Sequence, residues 1–288
     1  MTDTSGSDDR TCTEYEVQEV EKVNDTGKQP VVFVHGLWLL PNSWDPWREV
    51  FEAAGYATAA PGWPDDPETA EEAHAHPEVF ANKSVGQIAD HYQEVIEALD
   101  RKPAIVGHSF GGLLTEILAG RGLAAVSVAI SPAPFRGVLP LPLSALRSGS
   151  PVLRNPANRS RAVPLTYDQF KYGFANMLDG DEAKALYETY SVAGPGKVLF
   201  QAANANLNPW TEDKVDTENP QRGPMLILAG EKDHTVPHAI ANASFKRERR
   251  NEGVTEIVEI EGRSHSLTID SGWREVCDKA LAFIKRFV

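Results

Sequence analysis

The chain has little cysteine, little positive charge and no long apolar run, and each shortage excludes something. Only Cys12 and Cys277 occur among 288 residues, and neither stands in a CxxC or other metal-ligand spacing, so no disulfide framework is expected. Lys and Arg number 28 against 41 Asp and Glu, a formal net charge of −13, which argues against a nucleic-acid partner because such binding depends on cations that neutralise phosphates. No stretch approaches the roughly 18 apolar residues of a membrane span, and there are no internal repeats. The first fourteen residues, MTDTSGSDDRTCTE, have neither the basic start nor the apolar core of a signal peptide. They read as a disordered tail, and the protein as cytoplasmic. One absence is local: from Ile117 to Tyr167 there is no Asp or Glu, while Arg121, Arg136, Arg147, Arg154, Arg159 and Arg161 fall in that window.

What is present alternates. Residues 15–23, YEVQEVEKV, switch between polar and apolar and predict a half-exposed strand. Val31 to Val34 form a continuous apolar run, as a strand covered on both faces requires. Trp44, Trp47, Val50, Phe51 and Ala54 then recur at helical spacing, and ATAAPGW gives a short strand. Residues 64–83 read as an exposed loop, and Ser84 with Gln87 as a capping box that opens a helix. AIVGHS, FGGLLTEILAG and AAVSVAIS continue as strand, helix and strand. The rhythm returns at MLILAG and runs through helix 238–251, strand TEIVEIEG and a final helix from Trp273. Such alternation predicts an α/β fold with a mostly parallel sheet between two helical layers. The core is expected over 15–131 and 223–288. Residues 132–222 hold ten of the 20 prolines, with helical patterns near Phe170 and Leu186, and read as an inserted, mainly helical lid.

GHSFG at 107–111 fits the G-x-S-x-G nucleophile elbow and sits between a buried strand and a helix. Glycine at 107 and 111 suits the crowding of so tight a turn, and the helix directs unpaired N–H groups toward an anion at Ser109. A serine hydroxyl needs a base, and the base needs a carboxylate. EKDHTVP places Asp233 beyond the strand MLILAG, and RSHSL places His265 beyond the strand that follows. Open α/β sheets gather their sites at these strand ends.

With HGLW at 35–38, the four motifs resemble the α/β-hydrolase fold superfamily, in its serine esterase and lipase-like form with a lid, over most of 30–288. The resemblance implies Ser109 as nucleophile, His265 as general base and acid, and Asp233 as the orienting carboxylate. It implies an oxyanion hole from the N–H groups of Leu37 and Phe110. It implies no metal and no cofactor. His108 is expected to pack or bond beneath the turn, and His35 to shape the loop after the first strand. His234, His238 and Glu231 are weaker alternatives for base and acid. His74 and His76 read as solvated surface rather than as metal ligands.

Serine with a histidine base suits hydrolysis of a carboxylic ester. Lactone, carbon–carbon bond or perhydrolase chemistry remains open, as does a slow ligand sensor on the same scaffold. The partner is expected to be a small to medium, largely hydrophobic molecule, with Trp38 at the pocket mouth. Most of the aromatics of 132–222, among them Phe135, Phe170, Phe174, Tyr187 and Trp210, are expected to form the lid's own core, and some to line that pocket. An arginine of the acid-free window offers a bidentate partner for a substrate carboxylate, although solvation or pairing with the acidic remainder is the simpler expectation.

Overall fold

A computed structural model describes residues 12–288. Six parallel strands form one sheet: β1 (Pro30–Val34), β2 (Ala57–Ala59), β3 (Ala104–His108) and β4 (Val126–Ile130), then, after the two-residue strands β5 (Ala162–Val163) and β6 (Gly194–Pro195), β7 (Met225–Gly230) and β8 (Thr255–Ile260). The spatial order is β2-β1-β3-β4-β7-β8, while β5 and β6 pair separately and antiparallel. In β1, Val31 and Phe33 face one layer and Val32 and Val34 the other, which explains why the run contains no polar residue. One face packs on α2 (Asp45–Ala53) and α11 (Trp273–Ile284) through Trp47, Phe51 and Val276. The opposite face packs on α4 (Val85–Glu97), α5 (Phe110–Gly120) and α10 (His238–Glu248).

Two predicted elements are corrected. Residues 15–23 are not a strand; they lie within α1 (Glu14–Asp25). Thr13 and Glu16 form a capping box at its start, and Val17, Val20 and Val23 follow at helical spacing. The alternation misled because two of the apparent solvent positions are buried acids. Glu16 meets His91 Nε2 at 2.9 Å, and Glu19 accepts from Ala60 N at 3.1 Å and pairs with Arg48 at 2.6 Å. A side chain of α1 thus satisfies a backbone amide just past the edge strand β2. Of the expected tail, residues 1–11 lie outside the described residues, whereas Thr13 caps α1 and Glu14 begins it. Residues 64–83 are not simply a loop either. Thr69 caps α3 (Ala70–Ala75), and a 3₁₀ turn at Pro77–Phe80 buries Phe80.

Residues 132–222 contain α6 (Leu143–Leu153), α7 (Tyr167–Gly173), α8 (Gly180–Tyr190) and α9 (Gly196–Asn204). Bonds from Trp38 Nε1 to Val163 O (2.9 Å), Val192 N to Trp38 O (3.1 Å) and Ser266 N to Phe174 O (2.8 Å) tie this segment to the strand-end loops.

Beneath α5, Glu116 is fully buried and accepts from Ser244, while Glu248 pairs with the buried Arg222 at 2.8 Å. Burial pushes Glu116 well up, with the negative charge of Glu248 adding to it, and burial raises Glu248 to about 7 against the pull of Arg222. Because both folded values exceed the ordinary 4.5, their contribution to stability is full below that pH and is lost as pH rises through the folded values. Thermal melts are expected to show a Tm that falls between pH of about 5 and about 8. Glu116→Gln, neutral throughout, should flatten that profile; an unchanged slope would contradict this account.

Candidate active site

The loops after β1, β3, β7 and β8 converge where the strand order reverses, with β1 and β3 adjacent at its centre. Between β3 and α5, Ser109 adopts φ 58° and ψ −120°, a conformation that L-residues rarely hold. The surroundings fix it: Ser109 N donates to Ile130 O (2.9 Å), and Ser109 O accepts from Leu113 N (3.1 Å) and Ala133 N (3.0 Å). The flanking glycines are required by close approach. A Cβ at Gly107 would lie 2.1 Å from Gly111 O, and one at Gly111 would lie 2.1 Å from Val34 O. Gly36 also brings the loop after β1 close to the turn, since a Cβ there would meet His108 O at 2.9 Å and Ser109 Cβ at 3.0 Å.

Ser109, His265 and Asp233 come together and are buried. His265 Nε2 lies 2.9 Å from Ser109 Oγ, and His265 Nδ1 lies 2.7 Å from Asp233 Oδ2. A carboxylate only accepts, so Nδ1 carries the proton and Nε2 is left to accept from the hydroxyl. Asp233 is held by its other oxygen, which accepts from Thr235 N and Val236 N, both at 2.8 Å. Phe174 presents an edge-to-face contact to the His265 ring at 4.8 Å. Leu37 follows Gly36 on the loop after β1 and Phe110 follows Ser109, and the amides of both donate to no group among the described residues.

The alternatives fall elsewhere. His108 lies beneath the turn, as expected, and donates from Nε2 to His265 O at 2.9 Å. Burial first, then the neighbouring His265, holds its pKa well below the ordinary value, so it stays neutral beside the His265 imidazole. His35 contacts Gly36 O at 3.0 Å and Asp66 at 3.1 Å, on the loop it was expected to shape. Glu231 bonds Lys232 and Gly262 N, His234 bonds Tyr172 O, and His238 lies near Glu259. His74 is 2.9 Å from Ser191 O and His76 faces Glu78. One group of potential metal ligands, Cys12, Glu16 and His91, has atoms within 4.8 Å of one another. It lies where α1 meets α4, and Glu16 is already committed to His91 and Thr13.

Ser109 opens on a cavity of about 150 Å³. Trp38 and Phe110 line it, as do Leu146, Leu153, Leu199 and Ile240, and among the described residues its only side-chain hydroxyls are those of Ser109, Ser148 and Thr235. The expected aromatic lining is corrected: none of Phe135, Phe170, Phe174, Tyr187 and Trp210 reaches this cavity. The first four are buried or partly buried in the core, and Trp210 is exposed. None of the window's arginines lines it either. Arg121 pairs with Asp90, Arg136 donates to Pro209 O, and Arg147 lies 3.9 Å over the ring of Tyr172. Sequence reasoning missed Ser148 and Thr235, whose hydroxyls meet at 2.7 Å across α6 and the loop after β7. Only the fold joins them.

A fold of parallel strands with these four loops defines a class, and the comparisons agree. The alpha/beta hydrolase family model matches residues 31–279, and the chain belongs to that family. No curated protein matches it by sequence. Among solved structures it is similar to a monoacylglycerol lipase of Paleococcus ferrophilus, at 21% identity and TM-score 0.62 over 90% of this chain and 93% of that one. It is similar to an extracellular alpha/beta-hydrolase from a Paenibacillus species (16%, TM-score 0.63, 88% and 98% covered). A methylesterase from Arabidopsis gives 13% identity and TM-score 0.62 over 89% and 99%. Identities this low speak to the fold. Among the described residues, no helix is long and apolar enough to cross a membrane.

Proposed function

We propose that the protein is a serine-dependent carboxylic ester hydrolase acting on small to medium, largely hydrophobic esters. The observation that carries this reading is the chain of bonds from Asp233 through His265 to Ser109 at the wall of an apolar cavity. Ser109 Oγ attacks the ester carbonyl while its proton passes to His265 Nε2. Asp233 stabilises the imidazolium so formed, and the Leu37 and Phe110 amides receive the oxyanion, aided by the N-terminal end of α5. Collapse expels the alcohol, which takes the proton from His265. Water then repeats the sequence on the acyl-enzyme and releases the acid and Ser109. In this reading residues 132–222 act as a lid whose α6 and α9 wall the acyl site, and Trp38 contacts substrate.

An apolar lining with no cation among the described residues predicts selectivity. Burying a carboxylate without a partner costs several kcal/mol, so aryl hemisuccinate should be hydrolysed at least about 100-fold more slowly, by kcat/KM, than the butyrate ester of the same phenol. Equal rates would contradict the cavity assignment and revive a role for an arginine.

A further inference from the structure

The −13 chain carries one face of opposite character. Ahead of α6 the segment VLPLPL leaves Leu139 and Leu141 73% and 65% exposed, and Leu143, the first residue of α6, is 84% exposed. A second stretch lies against it. Asn206 accepts from Gly137 N at 2.7 Å and donates to Val138 O at 2.9 Å, and Arg136 donates to Pro209 O at 2.9 Å. These bonds set Leu207 (82% exposed) and Trp210 (87%) beside the leucines. Leu141 also lines the cavity that holds Ser109, so the apolar patch runs into the opening. Isolated exposed leucines need no explanation, but five large apolar side chains on two stitched segments do.

The side-chain charges of residues 143–161, on α6 and the turn that follows it, have one sign. Arg147, Arg154, Arg159 and Arg161 are exposed, and none makes an ion pair among the described residues. No acid occurs between Ile117 and Tyr167 to compensate them. Arg159 shares a surface groove with Lys197 and Trp210. The carboxylate in that groove, Glu212, is engaged by Gly86 N at 2.8 Å and Gln201 at 2.7 Å. A second copy of the chain is a poor cover for this face, because a two-fold contact would set the arginines of one copy against those of the other.

We propose that this face docks on an anionic phospholipid surface, with Leu139, Leu143 and Leu207 entering the headgroup–acyl boundary and Arg147, Arg154, Arg159 and Arg161 meeting phosphates. Apolar area and attraction to anionic lipid together set the strength of such binding, and Trp210 suits the interface by its ring and N–H. Docked in this way, the cavity opening faces the lipid, and an apolar solute dissolved there reaches Ser109 without crossing water.

The test uses the full-length protein and vesicles of phosphatidylcholine alone or mixed with phosphatidylglycerol, with co-flotation as the readout. The protein should float with the mixed vesicles, lose that association as salt is raised, and associate at least about tenfold less with phosphatidylcholine alone. Its tryptophan emission should shift to the blue on the mixed vesicles, and Trp210→Phe should remove the shift. Leu139→Glu combined with Leu143→Glu and Leu207→Glu, or Arg154→Glu combined with Arg159→Glu, should weaken the association about tenfold or more. None of these five positions lines the cavity, so melting temperature and hydrolysis of a water-soluble ester should hold. Absence of flotation, equal flotation on both vesicle types, or a triple leucine variant that only converts a dimer to a monomer would each overturn the proposal. Because flotation needs no turnover, its failure and the failure of the hydrolase reading are separately visible.

Discussion

Ser109→Ala is expected to lower turnover on an aryl ester by about four to six orders of magnitude, the range seen when the nucleophile of a Ser-His-Asp site is removed. The fold should survive, because the turn does not depend on the hydroxyl. Strain at φ 58° belongs to any residue with a Cβ, and alanine keeps the Cβ; the backbone bonds to Ile130, Leu113 and Ala133 remain. What is lost is one hydrogen bond to His265, worth about 1 kcal/mol, so the Tm should move by a few degrees at most. Residual activity should come from the oxyanion amides and substrate binding alone. A variant that retains a tenth of the wild-type rate would contradict the assignment, and a variant that unfolds would show up in the melt.

Asp233→Asn is expected to lower turnover about 10⁴-fold, and the local bonding says why. Oδ1 of Asp233 already accepts from two backbone amides, those of Thr235 and Val236. An asparagine must keep its carbonyl oxygen there, because turning the amide round would set its NH₂ against two N–H donors. Its NH₂ therefore faces His265 Nδ1 and forces the proton onto Nε2. The imidazole then presents a hydrogen to Ser109 instead of a lone pair, so the base is disabled while the shape is kept. Asp233→Glu keeps the charge at a longer reach and should lose less than Asp233→Asn. The reverse order would mean that shape, rather than proton placement, is what Asp233 supplies.

How much of this was legible in the chain depended on whether the relevant contacts are local. The sheet strands were readable because burial on both faces removes polar residues from them, as in Val31–Val34 and Met225–Gly230. The loops carrying Ser109, Asp233 and His265 were readable because tight packing fixes short patterns, the glycines at 107 and 111 above all. Helix α1 was misread because Glu16 and Glu19 find buried partners in His91, Ala60 and Arg48 that lie far along the chain. The capping box from Thr13 to Glu16 was the local signal that favoured a helix. The cavity wall was the least legible part. Small and aliphatic side chains on α6 and α9 look the same whether they bury each other or face a ligand, and the aromatics of the segment went into packing instead.

Fluorophosphonate treatment followed by peptide mass analysis decides whether Ser109 is the reacting nucleophile. One phosphonyl adduct is expected, on Ser109, forming in step with the loss of ester hydrolysis and absent from Ser109→Ala. Hydrolysis that persists with Ser109 unlabelled, or an adduct on another residue that tracks inactivation, would contradict that role.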